Sequence, residues 1–134
     1  MEYLHTMVRV KDLDKSLDFY CNALGLVETR RYESEQGRFT LIFLSAPGDL
    51  DRAKTDQAPL VELTYNWDQS EPYDLGNGWG HMALEVSDVY AACEKLAEAG
   101  VNITRAPGPM KHGTRVIAFI EDPDGYKIEL IQPN

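Results

Sequence analysis

LHTMVRVKD at residues 4–12 and GHMALEVSD at residues 80–88 lie over one another, each an alternating segment that carries a histidine and runs into an aspartate. In the first copy Leu4, Thr6, Val8 and Val10 fall on one side of an extended chain and His5, Met7 and Arg9 on the other, so the residues from Tyr3 to Val10 read as a half-buried strand. In the second, His81 to Val86 is a strand with His81, Ala83 and Glu85 on one face. Past each aspartate the apolar period lengthens to that of a helix. Leu13, Leu17, Tyr20, Cys21 and Leu24 follow Asp12 and stop at Gly25; Val89, Cys93, Leu96 and Ala97 follow Asp88 and stop at Gly100. An acidic cap, an apolar stripe and a terminal glycine are the marks of a helix at both ends.

The repeat extends outward from these two stretches. Leu26 to Tyr32, Arg38 to Leu44 and Leu60 to Asn66 are strand-like, with the polar stretch Ser45 to Pro59 between the last two read as a surface loop. In the second half Val101 to Arg105, Thr114 to Ile120 and Tyr126 to Gln132 are strands, separated by a loop at Ala106 to Gly113 and by the turn EDPDG at Glu121 to Gly125. VELT at 61–64 lies over IELI at 128–131. The prediction is an α+β fold of two βαβββ modules, residues 1–67 and 81–134, paired into concave sheets as one functional domain, with 68–80 as a turn-rich linker.

Composition narrows the function. A chain of 134 residues has room for one domain or two small halves, and 43% hydrophobic against 26% charged residues is an ordinary globular mixture. Twenty-two acidic side chains against thirteen basic ones leave a formal charge of −9, which repels nucleic acid and anionic membrane surfaces. No apolar run approaches the roughly 20 residues of a membrane helix, and a cytoplasmic protein is expected. Cys21 and Cys93 stand far apart on expected helices and read as buried reduced thiols. Dinucleotide, P-loop and nucleophile-elbow patterns do not occur.

Four side chains are the candidates for chemistry. Each module has a histidine in its first strand and a glutamate in its last: His5 and Glu62, His81 and Glu129. Two imidazoles and two carboxylates suit Ni²⁺, Co²⁺, Zn²⁺, Fe²⁺ or Mn²⁺, and the carboxylates balance a divalent charge. Strand parity puts Glu62 with Leu60, Thr64 and Asn66, opposite Val61, Leu63 and Tyr65, so the glutamates line the concave side while the aliphatic side takes the helices. A single strand histidine or glutamate is usually solvated or hydrogen-bonded; the same pair in both copies of a module is hard to explain by solvation, which leaves a ligand set or a packing requirement of the fold. His112, in a Gly/Pro loop with no counterpart, reads as a loop residue, and EDPDG as a tight turn rather than a calcium loop. Trp67, Tyr73 and Trp79 flank the linker, as pocket walls or interface anchors.

LHTMVRV, SLDFYCNALGL, VELTYNW, GHMALEV and AFIEDPDGYKIELI together resemble the glyoxalase I family, the lactoylglutathione lyases of the vicinal oxygen chelate superfamily, in its short bacterial form. The resemblance runs from Leu4 to Gln132. It implies that His5, Glu62, His81 and Glu129 hold the metal, with Glu129 the principal catalytic base and Glu62 symmetrically placed to serve the other face. It implies that Arg9 and Asn66 grip glutathione, and that Arg105 and Lys111 lie in a loop closing on it. It further implies Ni²⁺ or Co²⁺ ahead of Zn²⁺, and a homodimer whose sites take His5 and Glu62 from one chain and His81 and Glu129 from the other. The expected reaction isomerises the hemithioacetal of methylglyoxal and glutathione to S-lactoylglutathione through an enediolate, which removes methylglyoxal. Two departures stand out: the length of Ser45 to Pro59, and Asn77 where some members carry an arginine. The alternatives are an extradiol dioxygenase, which favours two histidines and a single carboxylate on iron, and a drug-sequestering module, for which the repeated pairs have no use.

Overall fold

The computed structural model describes residues 1–134, and each half of the chain builds its own four-stranded sheet. In the first unit, Met1–Tyr73, strand β1 (His5–Arg9) is followed by helix α1 (Leu13–Leu17), then β2 (Val27–Ser34), β3 (Phe39–Ser45), helix α2 (Leu50–Asp56) and β4 (Leu60–Asn66). The sheet order is β1-β4-β3-β2, with β1 parallel to β4 and the other pairs antiparallel. In the second unit, Asp74–Asn134, β5 (Met82–Glu85), helix α3 (Val89–Glu98), β6 (Asn102–Pro109), β7 (Val116–Glu121) and β8 (Lys127–Ile131) assemble in the corresponding order β5-β8-β7-β6. Each unit is a βαβββ module, and neither has a helix long and apolar enough to cross a membrane.

Local chemistry accounts for the helix ends. The Asp12 carboxylate accepts from the Lys15 backbone N–H at 3.1 Å and the Asp88 carboxylate from the Ala91 N–H at 3.0 Å, two equivalent caps. Gly25 and Gly100 have φ of +82° and +83°, a left-handed stop that a Cβ would strain. Between cap and stop the first helix loosens into a π-turn over Asp18–Ala23, and the Leu24 N–H reaches the Phe19 carbonyl five residues back.

Parity decides which side of each sheet is core. Val8, Val10, Ile42, Leu44 and Leu63 are almost wholly buried together with Phe19, Tyr20 and Ser16 of the first helix. In the second unit Ala118, Ile120, Ile128 and Leu130 are buried with Val89, Cys93 and Leu96. That leaves the opposite face of each sheet for His5 and Glu62, and for His81 and Glu129.

Two expected loops contain regular structure. Ser45 to Pro59 holds a 3₁₀ turn at Pro47–Asp49 and helix α2, which ends at Gln57 in the left-handed conformation. Its apolar signal is only Leu50 and Ala53, one turn apart, too short a stripe to stand out from a polar background. Ala53 is nevertheless buried against Phe43 and Leu60, with Leu41 beside them. Ala106 to Gly113 likewise begins as strand: β6 runs on to Pro109 despite Pro107, Gly108 and Pro109. It can do so because it is an edge strand with irregular pairing after Ile103 and after Arg105.

The EDPDG stretch is a turn closed on itself. Buried Asp122 accepts from the backbone N–H of Asp124 at 2.9 Å and of Tyr126 at 2.8 Å, while its own carbonyl takes the Gly125 N–H. Asp122→Ala should therefore cost about 2–3 kcal/mol, since it strands two N–H donors of a charge-assisted network. Chemical denaturation of the two proteins checks this, with Asp124→Ala as the milder comparison.

Candidate metal centre

The pairing of strands within each sheet brings each predicted histidine to its predicted glutamate. Parallel pairing of β1 and β4 sets Met7 opposite Glu62, so His5, two residues earlier on the same face, leans against that carboxylate. His5 Nε2 lies 2.8 Å from Glu62 Oε2. The parallel pairing of β5 and β8 repeats this, with Ala83 opposite Glu129 and His81 Nε2 3.1 Å from Glu129 Oε2. In both pairs the carboxylate is sheltered, with 11% and 13% of the side chain exposed, whereas the imidazoles are open at 32% and 43%. A sheltered carboxylate behind an accessible imidazole is how a strand pair presents two donors to something above the sheet.

The donors fit a divalent ion. Two ligands held side by side at about 2.0–2.2 Å from one ion, at a right angle, are about 3 Å apart. The separations of 2.8 and 3.1 Å bracket that distance. Neither unit gathers three or more His, Cys, Asp or Glu side chains into a group able to hold a metal; each carries one His–Glu pair. The thiols stay outside this chemistry. Burial raises the Cys93 pKa above its ordinary value; burial also raises that of Cys21, which is partly exposed rather than buried, with Glu28 adding to the effect and Arg31 opposing it.

The expected substrate residues fall in different settings. Arg9 ends β1 on the His5 face, exposed, beside Thr64 of β4. Asn66 ends β4 on the Glu62 face, and its Nδ2 donates to the Tyr73 hydroxyl at 3.0 Å. Arg105 is otherwise engaged. Its Nη1 donates to the carbonyls of Ile117 at 2.8 Å and Gly108 at 3.0 Å, and its Nη2 to that of Pro109 at 2.8 Å. It closes the edge of a strand whose prolines have no N–H to give. Lys111 stands exposed in the turn between β6 and β7, outside the strand ladder.

The sequence reading missed the two phenylalanines beneath the imidazoles. The Phe43 ring meets the His5 ring edge-on at 5.6 Å between centroids, and Phe119 meets His81 at 5.2 Å, both at 77°. Each phenylalanine sits opposite its module's glutamate in the antiparallel ladder, Phe43 against Glu62 and Phe119 against Glu129. A signal was present: GLVETR at 25–30 lies over GVNITR at 100–105, which aligns the second and third strands as well as the first and last.

Comparison with known proteins identifies the family. A family model described as the Glyoxalase/Bleomycin resistance protein/Dioxygenase superfamily matches residues 3–130. The chain is 55% identical over 132 residues to a lactoylglutathione lyase of Neisseria meningitidis, covering 98% of this chain and 91% of that one. It is 54% identical to a probable lactoylglutathione lyase of Synechocystis, covering 98% and 95%. The crystal structure of glyoxalase I from Zea mays superposes with a TM-score of 0.85 at 40% identity; 98% of this chain is covered, but the chain spans only 44% of the maize protein. The repeated His and Glu pairs on two βαβββ sheets and these near-full-length identities have one account: the chain belongs to the Glyoxalase/Bleomycin resistance protein/Dioxygenase superfamily and, within it, to the glyoxalase I lactoylglutathione lyases, which are enzymes.

Proposed function

We propose that this chain is a metal-dependent lactoylglutathione lyase that converts the hemithioacetal of methylglyoxal and glutathione to S-lactoylglutathione, removing a toxic aldehyde. The observation that carries the reading is the pair of matching half-sets, His5 with Glu62 and His81 with Glu129. Two donors do not make a durable metal site, but two such pairs make the four-ligand set. We assign the joining of the pairs to a homodimer in which one chain supplies His5 and Glu62 and its partner His81 and Glu129. The reducing cytoplasm suits the two free thiols.

When bound, a divalent ion supplies Lewis-acid stabilisation of negative charge on the substrate oxygens. The protein's own residues move the proton. Glu129 removes it from the carbon bonded to sulfur and returns it to the neighbouring carbon, and the hydroxyl proton passes from the first carbon's oxygen to the second's, so the first carbon is oxidised to the thioester and the second reduced to the alcohol, with no external redox partner. Glu62 stands at the equivalent position for the opposite face. Phe43 and Phe119 hold the imidazoles edge-on and keep water from beneath them. Arg9 and Asn66, at the ends of the strands that carry His5 and Glu62, offer cationic and amide donors to the anionic tripeptide.

Stripping the protein of metal and restoring Ni²⁺, Co²⁺ or Zn²⁺ separately tests this, with thioester formation followed by absorbance. Metal-free protein should be inactive, and at equal occupancy nickel or cobalt should exceed zinc, because a nitrogen and oxygen set that leaves room for two substrate oxygens suits six-coordination. Turnover by rigorously metal-free protein contradicts the reading, and faster turnover with zinc reverses the metal preference.

A further inference from the structure

Pairing across all four strands of each sheet forms one continuous row of side chains on the site face. In the first unit it runs Met7, Glu62, Phe43, Arg30; in the second it runs Ala83, Glu129, Phe119, Arg105. The two arginines are therefore counterparts, each five residues after a helix-ending glycine, each beside a ring that packs on the metal-site histidine. Their hydrogen bonding differs. Arg105 spends its terminal nitrogens on the carbonyls of Gly108 and Pro109 in its own proline-containing edge strand and of Ile117 in the neighbouring β7. In β2, which has no proline, Arg30 has no hydrogen-bonded acceptor or ion-pair partner; its guanidinium lies over the Phe43 ring with Cζ 3.8 Å from the centroid. The adjacent acid does not neutralise it, because Glu28 is held by Arg31, at 2.6 Å to Nε and 3.2 Å to Nη2.

From this asymmetry we infer that Arg30 is a specificity-determining residue that receives a carboxylate of the thiol substrate, while its counterpart Arg105 is a structural tie. The inference rests on the function proposed above and names one further part of that site. Three physical points carry it. The contact with the Phe43 ring restrains the side chain, so less freedom is lost when it binds, and the N–H fork of a guanidinium matches a carboxylate in bidentate fashion. Arg30 lies in the same row as Glu62, two strands or about 10 Å away along the sheet, a span that a tripeptide bridges when its sulfur end is at the metal. In a chain of net charge −9, an exposed guanidinium without an acidic partner is a local attractor for an anion.

The test pairs a protein change with a substrate change. Wild type, Arg30→Gln and Arg30→Lys are assayed at equal metal occupancy with the hemithioacetals of glutathione and of glutathione dimethyl ester, which lacks both carboxylates. Arg30→Gln should lower kcat/KM for the glutathione substrate about tenfold, mainly through KM, and change that for the ester less than twofold. Arg30→Lys keeps the charge but not the fork, and should lose an intermediate amount. An equal loss with acid and ester would make Arg30 a packing residue for Phe43 and His5 and overturn the inference, as would no loss with either. Binding of S-methylglutathione and its dimethyl ester, measured by calorimetry, reads the same difference without turnover. Failure of wild type to turn over the hemithioacetal would count against the proposed function, while the acid-to-ester binding difference would still decide the role of Arg30.

Discussion

Glu129→Gln is expected to reduce kcat by about a hundred- to ten-thousandfold, the largest single effect foreseen for this protein. Glutamine keeps the size of the side chain and one neutral oxygen donor, so the metal stays, but it cannot take a proton from carbon. The change therefore separates holding the ion from moving the proton. Glu62→Gln should cost less, because Glu62 is the more tightly held of the two carboxylates, 2.8 Å from its histidine against 3.1 Å for Glu129, and is itself buried. Steady-state rates for both variants, alongside metal analysis and exchange of the substrate C–H proton with solvent deuterium, provide the check. Equal losses would mean that the two glutamates share the proton transfer, and Glu129 would lose its assignment as principal base.

Complementation between two inactive chains is the second large effect. His5→Ala and Glu129→Ala should each be nearly inactive alone, since each homodimer has both of its sites damaged. Mixed under conditions that exchange subunits, they should recover about a quarter of wild-type activity: random pairing puts half of the chains into heterodimers, and one of the two sites in each is intact. The expectation follows from half-sets of two donors in each βαβββ unit. Native mass spectrometry confirms that heterodimers form, and no recovery in their presence would place all four ligands within one chain.

Much of the site was legible because strand parity is a rigid rule. His5 with Arg9, and Glu62 with Asn66, share faces through an alternation of period two that no loop can alter, and the internal repeat supplied a second reading of each. Helix ends were legible for a similar reason: Asp12, Asp88, Gly25 and Gly100 act through local backbone geometry alone. Helix α2 was not, because its stability comes from Ala53 fitting against Phe43 and Leu60, residues brought to it by the sheet rather than by its own sequence. The extension of β6 through Pro109 was hidden for a related reason, since turn-forming residues there are tolerated at an edge where Arg105 takes the carbonyls of Gly108 and Pro109.

What the sequence by itself determined is the module, its duplication, and the side of each sheet on which the histidine and glutamate stand: all depend on short-range periodicity and on a repeat visible in one dimension. What only the tertiary structure decided is which neighbours those donors meet. Cross-strand register, a long-range property, put Phe43 and Phe119 against the imidazoles and set Arg30 and Arg105 at the same point of two equivalent rows. The fates of the two arginines then diverge for a physical reason that lies outside both residues. Arg105 closes a strand whose prolines have no N–H to donate, and Arg30 lies in a strand that has no proline and keeps its guanidinium over an aromatic ring.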